Sequence, residues 1–143
     1  MAIQETLKLL IREQLKRSNV VASIPLQVNE LEIIVEVSDN PPSRNYGLMN
    51  RDSLDLNCGM LFVFPDIDYR SFWMKDTFLP LSIAYLNESG SIINIENMIP
   101  YNNGGVLSVM PAAYALEMNQ GWFKNNGIYP GDSIKGLPKL ALI

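Results

Sequence analysis

Leu31-Glu32-Ile33-Ile34-Val35-Glu36-Val37 is the stretch on which the fold turns. Leu31, Ile33, Val35 and Val37 alternate with Glu32, Ile34 and Glu36, and a period of two puts the first set on one face of a strand and the second on the other. Ile24 to Val28 has the same character, and Asn29 with Glu30 joins the two runs as a hairpin. Asp39, Asn40, Pro41, Pro42 and Ser43 then stop the strand. Aspartate caps free amides and proline suits a first turn, so a short helix carrying Arg44 starts here and ends near Gly47.

Working outward, further strands are expected at residues 60–64, 70–74, 81–86, 91–95, 113–118 and 132–135, with Asn87, Glu88, Ser89 and Gly90 turning between the third and fourth of these. Many short strands with frequent Gly, Pro and Asn breaks describe a mainly β chain, a small barrel-like or sandwich domain with short helices, over residues 20–143. Ahead of it, Leu7, Leu10, Ile11 and Leu15 fall at helical spacing among Lys8, Arg12, Glu13 and Lys16. Residues 1–19 therefore read as an N-terminal amphipathic α-helix spanning 4–18. It would dock on its own domain, or serve as an interaction helix for a partner protein or an anionic surface.

The 143 residues fit one domain, and with 48% hydrophobic residues a substantial core is possible without a covalent staple. Histidine is absent and cysteine occurs once, as Cys58. Catalytic triads, Cys-His pairs, histidine-bearing zinc sites and internal disulfides are excluded, and no metal or cofactor is expected. The net charge is −4, with the basic residues concentrated near the N-terminus, so double-stranded DNA is not an expected partner. No run suits a transmembrane helix and no secretory signal is seen. The expectation is a cytoplasmic chain or a component of an intracellularly assembled complex.

Two stretches are dense for their length: Gly47-Leu48-Met49-Asn50-Arg51 with Gly59-Met60-Leu61-Phe62-Val63-Phe64, and Phe72-Trp73-Met74-Lys75-Asp76-Thr77. Together with Pro80-Leu81-Ser82-Ile83 and the later Leu116-Glu117, they resemble the domain of unknown function 192 family, also called uncharacterised protein family 0127. The likeness runs from about Leu31 to about Ile134. It implies a compact, barrel-like, mainly β domain and no established activity, in a family whose members are often exported. Asp76 stands where that family usually has asparagine, and Ser82 where it usually has aspartate. If the aspartate had a chemical role, this chain lacks it unless Asp76 takes over the charge.

Read as a strand, 72–75 points Phe72 and Met74 to one side and Trp73 and Lys75 to the other. An indole beside an ammonium can hold an anion or an aromatic ring; alternatively Trp73 is core and Lys75 snorkels. Arg51 can bind a carboxylate or phosphate, or pair with Asp52, Asp55 or Glu117. Glu117 faces either solvent or an interior pocket, where it would need Arg51 or Lys75 as a partner. Cys58 is a space-filling residue or a thiolate activated by a nearby cation. The scattered methionines read as core filler rather than as copper(I) ligands.

The candidate site is therefore Arg51, Trp73, Lys75, Asp76, Thr77 and Glu117. The leading reading is a non-enzymatic binding or accessory module for a small ligand or protein partner. The alternatives are a structural or virion component docked through the N-terminal helix, and an enzyme dependent on Lys75, Asp76 and Glu117.

Overall fold

The computed structural model describes residues 22–141. The expected helix at 4–18, with Leu7, Leu10, Ile11 and Leu15, lies outside the described residues. In chain order the elements are β1 (Ser23–Val28), β2 (Leu31–Ser38), α1 (Pro41–Tyr46), β3 (Cys58–Asp68), β4 (Ser71–Phe72), β5 (Leu81–Leu86), β6 (Ile92–Met98), β7 (Val106–Leu107), β8 (Ala112–Asn119), α2 (Trp122–Asn125) and β9 (Ile134–Lys135).

The strand-forming alternation of residues 31–37 becomes β2, which is antiparallel to β1 in the expected hairpin, with Val28 opposite Leu31. Asn29 takes up a positive φ of 53° in the connection, a conformation asparagine tolerates better than most residues. The helix start is one residue later than the sequence suggests. Asn40, not Asp39, is the cap: its side chain accepts the Ser43 amide, and the Ser43 hydroxyl accepts the Asn40 amide.

Seven strands form one sheet in the order β6-β5-β8-β3-β2-β1-β9. It is neither a closed barrel nor a two-sheet sandwich but a curled half-barrel. All neighbours are antiparallel except β2 and β3, which run parallel, with Val35 opposite Gly59. Parallel strands need a long crossover, supplied here by α1 and the segment 47–57. At one end the two edges of the sheet are stitched together. Ser91 bridges Ser133, the Ile134 amide donates to the Gly90 carbonyl at 2.9 Å, and the Ile92 amide donates to the Asp132 carbonyl at 2.8 Å. A side chain at Gly90, where φ is +88°, would run into the Ile134 carbonyl.

The central strands β3, β5 and β8 are buried on both faces, which is why they read as continuous apolar runs. One face packs Leu61, Val63, Leu116, Met118, Trp122 and Phe123 against the β1–β2 hairpin. The other packs Met60, Phe62, Ile83, Tyr85, Ala115 and Met74. Residue parity thus assigns Glu117, between Leu116 and Met118, to the second face.

The run 70–74, expected as a strand, is one only at Ser71 and Phe72, which pair with β7. From Trp73 the chain leaves the ladder and turns at Lys75 and Asp76, with the Thr77 amide donating to the Met74 carbonyl at 3.1 Å. Asp76 adopts φ 51°, the left-handed region in which Asn and Asp are the tolerated non-glycine residues. Aspartate for asparagine at this position therefore preserves a backbone requirement.

Candidate functional site

On the second face of the sheet lies a pocket of about 190 Å³. Residues 44–49, from the end of α1 and the turn after it, form one wall; residues 71–74 form another; Phe62, Phe64, Thr77 and Glu117 complete the lining. The local sequence explains the placement. The capping box starts α1 so that its last turn presents Arg44, whose Nη1 donates to the Val63 carbonyl at 2.9 Å and fastens the helix to β3. Gly47 ends α1 with φ 52°, where its backbone comes against the Phe62 ring. On the far wall the Met74 amide donates to the Asn102 carbonyl at 2.8 Å and the Tyr101 amide to the Thr77 carbonyl at 3.0 Å, tying residues 72–77 to the loop before β7.

The rings on this face interlock. Phe72 meets Phe62 edge to face at 4.8 Å, Tyr85 at 5.9 Å and Phe64 at 6.2 Å between centroids. Three cations sit on rings that line the pocket. Arg70 and Arg44 lie 3.9 and 5.6 Å from the centre of Phe64, and Lys75 lies 5.4 Å from that of Trp73.

Glu117 is 4% exposed. Its neighbours across the sheet are Met60 on β3 and Ile83 on β5, neither of which can solvate a carboxylate. Burial alone raises its pKa from the usual 4.5 to about 8. Tyr85 faces it, but the Tyr85 hydroxyl donates to the Val106 carbonyl at 2.5 Å, so its proton is committed elsewhere. Among the described residues no hydrogen bond or ion pair reaches the Glu117 carboxyl. Because no sealed polar side-chain atom is left without a partner there, the Glu117 oxygens must open onto the pocket.

The sequence-derived site residues divide. Trp73, Thr77 and Glu117 line the pocket; Arg51, Lys75 and Asp76 do not. Arg51 does not pair with Asp52, Asp55 or Glu117. It grips Glu36 on β2 with two parallel bonds of 2.9 and 2.7 Å, and hydrogen bonding to that carboxylate raises its pKa. Lys75 and Trp73 touch one another, through a turn and not through strand alternation, and both are exposed. Thr77 is buried, and its hydroxyl donates to the Lys75 carbonyl at 2.9 Å. Ser82, the other departure from the expected pattern, belongs to the opposite face: its hydroxyl accepts the Gly121 amide at 3.0 Å and donates to Asn97 at 3.1 Å. It fills a structural acceptor position away from the pocket.

Arg44 is the residue that sequence reasoning missed. It was noted as part of a short helix, and the available signal was its position three residues before Gly47, which turns it over β3. Burial lowers its pKa, opposed by Asp39 and Asp66. Among the described residues no group of three or more His, Cys, Asp or Glu side chains could hold a metal ion, and no helix is long and apolar enough to cross a membrane.

Comparison with known proteins gives a family and relatives of similar structure. The model of the DUF192 family, described as "Uncharacterized ACR", matches residues 24–136. A solved protein of Sinorhizobium meliloti 1021, described as a candidate transcription regulator, is 34% identical with a TM-score of 0.76, over 81% of this chain and 95% of its own. A protein of unknown function from Novosphingobium aromaticivorans DSM 12444 is 28% identical with a TM-score of 0.75, over 80% of this chain and 85% of its own. No curated protein matches.

Proposed function

The chain belongs to the DUF192 family, and from that starting point we propose that it is a non-enzymatic binding module that captures a small ligand in the pocket between α1 and residues 71–74. The observation that carries this reading is Glu117, an unpartnered carboxyl 4% exposed at the bottom of an aromatic pocket. Burying such a group without a partner costs several kcal/mol, on the order of 2–7 for a polar group even before charge is counted. A protein bears that cost where the group has work to do.

The enzyme alternative needs Lys75, Asp76 and Glu117 to act on one substrate, whereas Glu117 lines the pocket and the other two do not. The assembly alternative rests on the helix at 4–18, which lies outside the described residues. A role in transcription, described for the relative from Sinorhizobium, is not carried over, because a net charge of −4 offers no general field for phosphates.

The test is a screen of low-mass amines, alcohols, carboxylic acids and sugars by ligand-observed NMR, with binders mapped on the ¹⁵N-labelled protein. Binders should shift the Trp73 indole and the Thr77 amide. Trp73→Ala and Glu117→Gln should weaken capture, while Arg51→Ala, whose partner is Glu36, should leave it unchanged. Binders that map away from residues 71–77, or capture indifferent to Trp73→Ala and Glu117→Gln, would defeat the proposal.

A further inference from the structure

Three kinds of ligand can be weighed against this pocket. An anion would have to approach Glu117, and the cations nearby are engaged. Arg51 is held by Glu36, Lys75 lies on the outer side at Trp73, and Arg44 is bonded to the Val63 carbonyl with Asp39 and Asp66 offsetting its charge. A neutral ligand could hydrogen-bond the carboxyl in its protonated form but could not pair with the carboxylate. A cation supplies the missing partner. Two of the rings that line the pocket already bear cations, Arg44 and Arg70 on Phe64 and Lys75 on Trp73. The acidic chain raises the local concentration of positive ligands.

We propose that the pocket takes the ammonium head of a small organic amine, paired with the Glu117 carboxylate and flanked by the rings of Phe62, Phe72 and Trp73. This rests on the reading of the pocket as a ligand site and adds its chemical class. The charged and titratable groups that face Glu117 are few. Tyr85 on β5 has its hydroxyl proton committed to Val106, Arg44 on α1 lines the same cavity without forming an ion pair with it, Tyr46 on α1 lines it too, and Glu96 on β6 stands beyond Ile83 in the same cross-strand row, where it accepts from Asn94 at 2.9 Å. From β3 the neighbour is Met60, which does not titrate.

Proton balance gives the inference its signature. The carboxyl is protonated below about 8 when the pocket is empty and must be ionised when an ammonium occupies it, so binding below that pH releases one proton to solvent. Affinity should therefore rise about tenfold per pH unit well below 8, flatten through about 8 and then level off, until the ammonium itself deprotonates near 10.

The experiment titrates n-butylammonium chloride, n-butanol and sodium butyrate, at constant ionic strength, into protein with ¹³C-labelled glutamate side chains, and follows the Glu117 Cδ resonance. The expected result is that butylammonium lowers the Glu117 titration midpoint and binds about fivefold more tightly at pH 8 than at pH 7. Glu117→Gln should abolish its advantage over butanol. Because the midpoint is read on the unaltered protein, a misfolded Gln variant would not blunt the test. If butanol or butyrate moves the Trp73 and Glu117 resonances as strongly as butylammonium, the cation class is wrong and the ligand site stands. Silence from all three probes counts against both.

Discussion

Replacing Glu117 by glutamine keeps the shape of the side chain and removes its proton equilibrium, which turns the buried carboxyl into a measurable slope of stability against pH. The folded state holds the proton up to about 8, whereas the unfolded chain releases it near 4.5. Between those values the native state binds more protons, so the stability contributed by the acid form is complete below 4.5 and is lost as pH rises towards 8. At about 1.4 kcal/mol per unit, the full interval is worth at most about 5 kcal/mol. Tyr85 stays protonated throughout because burial raises its pKa, and Arg44 stays charged, so neither adds to the slope. Urea unfolding of wild type and Glu117→Gln at pH 5, 6, 7, 8 and 9 should show the variant gaining on wild type by about 1.4 kcal/mol per unit up to pH 8, then no further. A difference that stays constant from pH 5 to pH 9 would refute the reasoning, because it would mean that the Glu117 carboxyl is solvated or paired in solution.

Gly59→Ala should destabilise by about 3 kcal/mol in chemical unfolding, because a methyl group there meets the Glu117 carbonyl and the Met118 sulfur across the β3–β8 pair; the effect of a well-tolerated alanine, under ~0.5 kcal/mol, would show that the strands are further apart. Arg51→Ala should cost only ~1 kcal/mol, since its pair with Glu36 is partly open to solvent, and the loss should shrink in high salt. Asp76→Val should cost ~1–2 kcal/mol and Asp76→Gly little, measured as shifts in melting temperature, because the position demands φ 51°; equal losses for both would deny that backbone strain is the cause.

Much of the architecture was legible in the sequence. Alternation over residues 31–37 gave β2, Asn29-Glu30 its hairpin, Pro41 and Gly47 the limits of α1, and the run 113–118 a strand. The parallel partnership of β2 and β3 was not legible, because periodicity reports which face of a strand is buried and says nothing about its neighbour. The segment after Phe72 was misjudged for a physical reason: Trp73 and Lys75 have an alternating look, but Asp76 at positive φ breaks the strand. Of the candidate site, the sequence left Glu117 open between solvent and an interior pocket, because alternation alone does not show that its strand is buried on both sides. Its lack of a partner could not be read, since Arg51 had several acids in reach along the chain and its actual partner, Glu36, lies on a different strand.

The stitching of the sheet's two edges also bears on how the molecule is made. Gln27 on β1 pairs with Lys135 on β9, more than a hundred positions later, and Ser91 waits for Ser133. Contacts so distant along the chain are slow to form, because a long loop must close before any bond rewards it. During synthesis from the N-terminus, the outer side of β1 has, among the described residues, no strand partner until residues 134–135 have emerged, and β9 acts as the latch that covers it.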